Sequence, residues 1–403
     1  MSSSSPAQPP QLAQALAVHA QYTDTLFQNA RTKPGEDPLF VPITDQPLDA
    51  ATLPVRALAF YLPQFHPIPQ NDKHWGKGFT EWTNVTRAVP LFAGHEQPRL
   101  PGELGFYDLR MPHVMERQVE LAKMYGIHGF AFHYYWFAGE RVLEKPIEHF
   151  LNTPSLDLPF CVNWANENWS RRWDGAATEV IIGQNHSPED DVAMIADVAR
   201  YFRDKRYIRV GGKPLFMIYR LELFPDPKAT VERWRTWCRQ NGIGEIYIAS
   251  CRSFAIIDPA EFGVDAAVEF PPNMMTPAPL DTRGFVLNQK FAGKILDYRT
   301  VAQTAMSLGK PPYKVLRGVT PSWDNTARKP DNGNVFHFNS PELYAQWLEH
   351  ACRFTLEHYS PDENIVFLNA WNEWAEAAYL EPDRRRGYAF LQATADALRK
   401  VKG

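Results

Sequence analysis

The chain has 403 residues, of which 44% are hydrophobic, and a formal net charge of −4 with both signs spread along its length. This composition is typical of a globular protein with a sizeable core, and the lack of a basic block argues against a nucleic-acid partner. The length exceeds one minimal domain but suits a single decorated α/β barrel.

The N-terminal residues and the spacing of the cysteines indicate the cellular compartment of the protein. The chain begins MSSSSPAQPPQ, without the basic start and apolar run of a secretory signal, and no apolar stretch is long enough to span a bilayer. No cysteine stands in a CxxC or CxH spacing, so no zinc site is expected. Free cysteines in apolar runs suit a reducing compartment. We therefore expect a cytoplasmic protein without a transmembrane segment, metal or other cofactor.

Residues 1–54 are expected to form an N-terminal extension. Residues 1–10 are rich in Ser, Pro and Gln, which predicts disorder. Residues 11–31 predict a helix, because Leu12, Leu16 and Leu26 fall roughly on one stripe. Residues 32–54 carry several prolines and indicate an irregular lead-in. Residues 55–403 are expected to form one catalytic barrel.

From Val55 onward, short apolar runs alternate with amphipathic stretches. The runs are nearly continuous in hydrophobicity, as expected for strands that are buried on both faces. Eight strands are predicted, at Arg56–Tyr61, Gly129–Tyr134, Pro159–Trp164, Leu215–Tyr219, Glu245–Ser250, Ala266–Phe270, Lys314–Val319 and Asn364–Asn369. Helices are predicted between and after them, at Met111–Tyr125, Asp190–Phe202, Ala229–Asn241, Pro341–His358 and Tyr388–Val401.

Alternation of strands and helices predicts a parallel sheet. Eight such units favour a closed, single-domain (β/α)8 barrel of the TIM type. An open sheet of six or seven strands is the alternative.

Aromatic and polar residues gather where the predicted strands end, and in a TIM barrel these ends form the rim that carries the active site. The chain has 12 Trp, and aromatic residues make up 13% of it. Aromatic rings bind the apolar face of a sugar, so the pattern predicts a carbohydrate cleft. Trp136, Trp164, Trp169 and Trp323 are expected to line it, with packing between barrel and helices as the alternative for each.

Glycosidic cleavage generally needs two carboxyl groups. Acidic residues on the predicted rim are Glu81, Glu167, Glu269, Asp324, Glu373 and Glu376. Glu373 and Glu376 are three residues apart, and a helical turn would bring their Cβ atoms within about 5–6 Å. Retaining glycosidases hold their carboxyl groups about 5–5.5 Å apart. The flanking Trp371 and Trp374 argue against a merely solvated helix face.

The segment NAWNEWAEAAYLEPD (Asn369–Asp383) resembles the carboxyl-terminal motif of WbsX-type polysaccharide biosynthesis proteins, which carry a domain similar to family 99 glycoside hydrolases. The segments AFYLPQFHPIPQNDKHWGKGFTEWTNV, GFAFHYYWF, VNWANENWSRRWDG and GKPLFMIYR also resemble blocks of that family. The resemblance runs from about Val55 to the C-terminus. It implies that Glu373 acts on the sugar 2-hydroxyl, and that Glu376 is first general acid and then base.

Three kinds of function remain open. The two carboxylates favour a hydrolase or transglycosylase that acts on a bacterial surface polysaccharide. WbsX-type proteins are associated with O-antigen and capsule synthesis and are often called glycosyltransferases, which is the second hypothesis. The sequence has no DxD motif and no GxGxxG after a strand, so it offers no recognisable nucleotide-sugar site. A non-catalytic glycan-binding barrel is the third.

Glu167 is an alternative proton donor. The Asn166–Glu167 pair resembles the Asn–Glu pair that carries the general acid in another large clan of barrel glycosidases. Its partner would then be Glu269 or Glu373. Otherwise, Asn166, Glu167 and Asn168 are expected to bind sugar hydroxyls.

Further rim residues are expected to contact the oligosaccharide or polysaccharide substrate. They are Tyr61, His66, Trp75, Glu81, Trp82, His133, Tyr134, Tyr135, Trp136, Asn163, Trp164, Trp169, Tyr219, Glu269, Trp323, Asn372 and Trp374. A metal site built from His66, His74 and His133 is disfavoured because their spacing is unspecific. Arg171, Arg172 and Arg328 suit either an anionic glycan or structural ion pairs, and the second interpretation is favoured.

Overall fold

The computed structural model describes residues 10–31, 33–170, 180–253, 258–275, 277–281, 288 and 290–402. Its central feature is a parallel barrel. The barrel strands are β1 Arg56–Tyr61, β2 Gly129–Phe137, β3 Phe160–Trp164, β4 Lys213–Ile218, β5 Tyr247–Arg252, β6 Ala266–Glu269, β7 Val315–Leu316, β8 Gly318–Val319 and β9 Ile365–Leu368.

The strand order is β7-β6-β5-β4-β3-β2-β1-β9-β8, with every neighbouring pair parallel. The two ends of this order, β7 and β8, are separated in the chain by Arg317 alone. The ring is therefore nearly closed, as in a TIM-type barrel, and the open-sheet alternative is wrong.

The predicted seventh strand, residues 314–319, is divided at Arg317. Its guanidinium bonds to Glu269 at 2.7 Å and to the carbonyl of Leu308 at 2.7 Å. Gly318 then lies so close to the backbone of Glu269 that a Cβ atom would stand 2.1 Å from its carbonyl oxygen. The side chain of Arg317 is thus used in a buried ion pair. The strand pairs with β6 before this residue and with β9 after it.

Helices surround the barrel and connect its strands. The α-helices are Pro10–Arg31, Pro69–Trp75, Glu81–Arg87, Pro112–Met124, Lys145–Asn152, Pro188–Phe202, Pro227–Gln240, Tyr298–Ser307, Pro341–His358 and Ala389–Val401. Short 3-10 helices are Ala50–Thr52, Leu221–Leu223, Pro259–Phe262, Asn325–Ala327, Pro361–Glu363 and Trp374–Glu376. Minor strands are Glu140–Val142, Trp169–Ser170, Val180–Ile182, Arg209–Val210, Lys294–Asp297, Asn334–His337, Asn372–Glu373 and Ala378–Tyr379.

The barrel strands carry the core. All residues of β3, β6 and β9 are buried, which explains why their sequences are apolar without alternation. Prolines begin many of the surrounding helices, and Ser187, Asp226 and Ser340 cap three of them through their side chains. The predicted helices are therefore confirmed with small shifts in their ends.

The N-terminal helix Pro10–Arg31 is also present as predicted. Leu16 and Phe27 on it are exposed. The predicted disorder of residues 1–10 falls almost entirely outside the described residues. Within the part of the chain that the structure describes, no helix is both long enough and apolar enough to cross a membrane.

Candidate active site

A cleft opens where the barrel strands end. The residues that line it follow the C-terminal ends of successive strands and include Gln64 after β1, Tyr135 in β2, Glu167 after β3 and Tyr219 after β4. The cleft has two parts, of about 210 and 550 Å³, which both border Glu167, Tyr219, Arg328 and Glu376. It lies at the end of the barrel where TIM-type enzymes carry their active sites.

Glu373 and Glu376 lie on one tight turn at this cleft. Asn372–Glu373 pairs antiparallel with Ala378–Tyr379, and the 3-10 turn Trp374–Glu376 joins the two strands. Ala377 closes the turn with a φ of +50°, in the left-handed region. The two glutamates therefore stand at the two ends of one turn, and both line the cleft.

A single guanidinium joins the carboxylates. Arg328 donates from Nη2 to Glu373 Oε2 at 2.9 Å, and its Nη1 forms an ion pair with Glu376. Its Nε donates to Oε1 of Glu81 at 2.9 Å. Burial disfavours the charged guanidinium, but the three carboxylates outweigh it and raise the pKa of Arg328. Arg328 therefore holds both cleft carboxylates from one side.

Burial governs the protonation of Glu373. It raises the pKa of this carboxyl to about 8, although Arg328 opposes the shift, and the nearby Glu376 and Glu81 add to it. Carboxyl groups this close titrate as a unit rather than one by one. In the unliganded site the pair therefore retains a proton at neutral pH, and burial favours the protonated form of Glu373.

This raised pKa predicts a pH dependence of stability. The charged form of Glu373 is disfavoured by folding, so its contribution is fully present below pH 4.5 and is lost as the pH rises through about 8. Across that window it changes the free energy of unfolding by up to about 1.4 kcal/mol per pH unit. Glu373→Gln cannot ionise, so urea unfolding of this variant should lose less stability between pH 5 and pH 8 than the wild type. An equally steep loss in the variant would contradict the assignment.

His133, in strand β2, lies beside Glu373 in the lining of the cleft. Its Nε2 is 3.8 Å from Glu373 Oε1, and the Asn163 amide is 3.3 Å from its Nδ1. Its ring stacks on Phe60 at 5.7 Å. Burial, together with Arg328, lowers the pKa of His133 to about 4, so the imidazole is neutral at pH 7. The neutral ring therefore adds no positive charge beside Glu373.

Glu381 stabilises the turn that carries Glu373 and Glu376 through a buried hydrogen-bond network. Its carboxylate accepts hydrogen bonds from Trp374 Nε1 at 2.6 Å, Gln118 Nε2 at 2.6 Å and the Tyr107 hydroxyl at 2.9 Å. Burial raises its pKa to about 7 in spite of these donors. Because Trp374 lies between the two cleft glutamates in sequence, this network fixes the turn that carries them.

The loop that carries Arg328 is anchored by Asp324. The backbone N–H of Asp324 donates to the carbonyl of Glu376 at 2.7 Å. Its carboxylate accepts from His95 Nε2 and from Gln97 Nε2, both at 2.7 Å. The Leu91 N–H donates to His95 Nδ1, which leaves the ring proton on Nε2. The Arg328 loop and the glutamate turn are thus joined by the backbone hydrogen bond from Asp324 to Glu376 and by the ion pairs of the Arg328 side chain.

Aromatic side chains line both parts of the cleft. Tyr135, Phe137 and Trp169 border the first part, where the Trp169 ring stacks near Tyr135 at 5.6 Å and near Phe137 at 6.2 Å. Trp323 borders the second part, and Tyr219 borders both. These rings offer flat apolar surfaces on either side of the carboxylates.

Trp169 and Trp323, the two tryptophans among the described residues that line the cleft, are expected to contribute to sugar binding. Trp169→Ala or Trp323→Ala should weaken oligosaccharide binding by about 1 kcal/mol or more, roughly a five-fold rise in Kd, through loss of the stacking surface. Isothermal titration calorimetry measures this. Trp164→Phe is the matched control, since that ring lies away from the cleft, and an equal loss of affinity in the control would contradict the assignment.

Several predicted contacts lie elsewhere, because their strands point them outward to the helices. The Tyr61 hydroxyl donates to Gln118 at 2.7 Å, the Tyr134 hydroxyl to Asp197 at 2.6 Å, and Trp136 Nε1 to Asp190 at 2.8 Å. Trp164 packs on Phe224 and Trp234. The structure thus corrects the placement of Tyr61, Tyr134, Trp136 and Trp164, none of which lines the cleft.

Other predicted contacts have structural partners. Trp82 packs on Phe65 and Trp374, Trp374 stacks on Tyr379, and Trp75 stacks on Phe79. The amides of Asn166 and Asn372 bond to the backbone of Arg220 and Leu62, and Asn163 lies beneath His133. Glu269 pairs with Arg317. His66 is fully buried, and burial lowers its pKa to about 4. The residues from this group that are absent from the lining of the two parts of the cleft are Trp75, Trp82, Trp374, Asn163, Asn166, Asn372, Glu269 and His66, and their contact with a substrate stays a prediction.

Glu81 lies one layer below the cleft surface. It is fully buried and reaches the cleft through its ion pair with Arg328 rather than by lining it. Burial raises its pKa, and Arg328 opposes that shift. Glu81 is thus placed to hold the guanidinium and not to touch a sugar.

Glu167 does lie in the cleft, where it lines both parts. Its carboxylate is 2.5 Å from Arg220 Nη1. It therefore stays an alternative proton donor. Arg171 and Arg172 lie outside the described residues.

The sequence alone does not point to Gln64 or Phe137 as site residues. Asn168, which was expected to bind sugar hydroxyls, lines the first part of the cleft. Arg328 was interpreted as a structural ion pair, and it is one, but its carboxylate partners are the cleft residues themselves. Within the described ranges, no cluster of three His, Cys, Asp or Glu side chains has an arrangement that could hold a metal ion.

Comparisons with known proteins match the whole barrel. The model of the family described as glycosyltransferase WbsX matches residues 57–394. The protein WxcX of Xanthomonas campestris pv. campestris, itself uncharacterised, is 52% identical over 350 residues, and in a second strain it is 51% identical. The match covers 87% of this chain, which spans about half the length of these relatives.

Two solved structures resemble the fold. One is a glycoside hydrolase-like protein, with a TM-score of 0.54 at 15% identity over 92% of this chain and 99% of the other. The second is a family 99 endo-α-mannosidase from Bacteroides thetaiotaomicron in complex with bis-tris propane, with a TM-score of 0.52 at 15% identity over 86% and 97%. At this identity the likeness shows the fold alone. The chain folds as a glycoside hydrolase-like barrel, and by the match over residues 57–394 it belongs to the WbsX glycosyltransferase family.

Proposed function

We propose that the chain is a carbohydrate-active enzyme that cleaves or transfers glycosidic bonds of a surface polysaccharide, with Glu373 and Glu376 as its catalytic carboxylates. The observation that carries this proposal is the pair itself. Both carboxylates stand on one turn, share the guanidinium of Arg328 and face a cleft lined by aromatic rings. Retaining and inverting glycosidases both use two carboxyl groups in one cleft, and the family resemblance implies the retaining mechanism.

The roles implied by the family resemblance require one proton to move. Glu373 must be ionised to act on a sugar 2-hydroxyl, yet in the unliganded site burial keeps its pKa near 8. A sugar hydroxyl that donates to Glu373 favours its charged form. We infer that substrate binding transfers the proton to Glu376, where it protonates the leaving oxygen. Arg328 contacts both carboxylates and therefore stabilises the charge on whichever has lost the proton.

A glycosyltransferase is the second candidate, favoured by the description of the matching family. The two candidates differ in what they need. A hydrolase or transglycosylase acts on the glycan alone, whereas a glycosyltransferase needs an activated donor such as a nucleotide sugar.

The test is to incubate the purified protein with the surface polysaccharide of the encoding organism, with and without a panel of nucleotide sugars. We expect new reducing ends or altered chain lengths without any nucleotide sugar. Glu373→Gln/Glu376→Gln is the control and should produce neither. Activity that appears only with a nucleotide sugar would assign the protein as a glycosyltransferase and overturn the proposal.

A further inference from the structure

A second cavity, separate from the cleft, lies between the segment after the Glu81–Arg87 helix and the segment after the glutamate turn. It has a volume of about 130 Å³ and is lined by Glu96, Arg99, Tyr379 and Asp383–Arg386, among others. At about 30 Å³ per water, this is room for one small oxyanion and little more. None of its lining residues borders the cleft.

The cavity has more cationic than anionic groups. Four arginines line it, Arg99, Arg384, Arg385 and Arg386, against three carboxylates, Asp37, Glu96 and Asp383. Two of the arginines use most of the available carboxylate oxygens. Arg386 binds both oxygens of Glu96, at 2.9 and 2.8 Å, and Arg385 donates to Asp37 at 2.8 Å. Asp383 accepts from the Tyr379 hydroxyl at 2.8 Å.

The other two arginines have hydrogen-bond donors that are not used by protein acceptors. The side chain of Arg99 is 9% exposed, its closest ion-pair contact with Glu96 is 3.7 Å long, and its buried Nε has no hydrogen-bond partner among the described residues. Among the described residues, no side chain forms a hydrogen bond or ion pair with the half-buried guanidinium of Arg384. Nearby carboxylates stabilise the charge of Arg99, so what this arginine lacks is a hydrogen-bond acceptor for its buried Nε rather than a counter-charge. A buried donor left without an acceptor costs about 1–3 kcal/mol, which a ligand oxygen would recover.

We propose that this cavity binds a phosphate-type oxyanion, held by Arg99 and Arg384. Guanidinium groups bind phosphate oxygens through paired, charge-assisted hydrogen bonds, and Arg99 and Arg384 both have donors available. The bound group is either free phosphate or the terminal phosphate of a phosphorylated sugar. The site is independent of the proposed glycosidic chemistry and needs no activity to be detected.

The test is calorimetric titration of the full chain at constant ionic strength, with inorganic phosphate in one arm and glucose 1-phosphate in the other. We expect saturable binding of phosphate and a loss of about ten-fold or more in affinity for Arg384→Ala, as for one lost hydrogen bond to a charged group. Arg384 is only half-buried, so this variant should fold. Arg353→Ala, which removes an exposed arginine paired with Glu349, is the matched control.

The two arms identify the source of the anion. Tighter binding of the sugar phosphate assigns an esterified ligand, and tighter binding of inorganic phosphate assigns the free ion. The proposal is overturned if neither probe binds, or if Arg384→Ala binds as tightly as Arg353→Ala. Failure of glycosidic activity would leave these titrations unaffected.

Discussion

Glu376→Gln is expected to lower turnover of an unactivated glycoside by about 10²–10⁴-fold, the usual contribution of general acid–base catalysis. The substitution removes the transferable proton and keeps the shape of the side chain. Stability should change little, because Glu376 lines the open cleft and an amide oxygen can still accept from Arg328. Steady-state rates on an oligosaccharide substrate measure the effect.

A substrate with a good leaving group needs no protonation, so it should restore much of the activity lost in Glu376→Gln. This rescue identifies the proton donor. If Glu167→Gln alone shows a loss that depends on the leaving group, then Glu167 is the donor and the assignment of Glu376 is wrong. If Glu373→Gln is the rescued variant, the two roles are reversed, as the proton position in the unliganded site would allow.

Glu373→Gln is expected to cause a loss at the upper end of the same range, on the order of 10⁴-fold, that an activated leaving group rescues poorly. The variant lacks the base that acts on the 2-hydroxyl, a step that leaving-group activation does not replace. For the same reason, a substrate without the 2-hydroxyl should be inert with the wild type. Rates of both variants on activated, unactivated and 2-deoxy substrates measure these differences.

The pH dependence of the wild-type rate provides a second readout for this pair. Two carboxylates that share a proton and a guanidinium should give a bell-shaped profile, whose limbs belong to the pair. Because burial raises the pKa of Glu373 to about 8, the basic limb should lie well above the ordinary range of a carboxyl group. Glu376→Gln removes one of the two titrating groups, so its residual activity on an activated substrate should keep only one limb, and an unchanged bell there would contradict the assignment.

The barrel could be predicted because its strands are buried on both faces. Continuous apolar runs, such as residues 160–164 and 365–368, are typical of strands covered on both faces. Because helices are predicted between these runs, few folds other than a parallel barrel or sheet fit the pattern. The division of the seventh strand could not be predicted. It depends on an ion pair between Arg317 and Glu269, which are 48 residues apart in the chain.

The site was predicted only in part, because clustering of polar residues after strands does not give the direction of each side chain. In β2, side chains alternate between the two faces of the sheet. His133, Tyr135 and Phe137 line the cleft, while Tyr134 and Trp136 bond to helix residues outside the barrel. The sequence shows which residues alternate but not which set faces inward. Once His133 is placed, this alternation assigns its neighbours.

The role of Arg328 could not be assigned from the sequence for a different reason. It lies on a loop 45 residues before Glu373, and an arginine in a loop has no local pattern that separates a surface ion pair from a catalytic one. Only the folded chain shows that its partners are Glu81, Glu373 and Glu376.

A crystal structure of Glu373→Gln/Glu376→Gln with a bound oligosaccharide tests the central claim most directly. We expect the linkage oxygen within hydrogen-bond distance of residue 376, the 2-hydroxyl of the adjoining sugar beside residue 373, and a sugar ring on Trp169 or Trp323. A saccharide bound outside the cleft, or a linkage oxygen nearest to Glu167, would contradict the account.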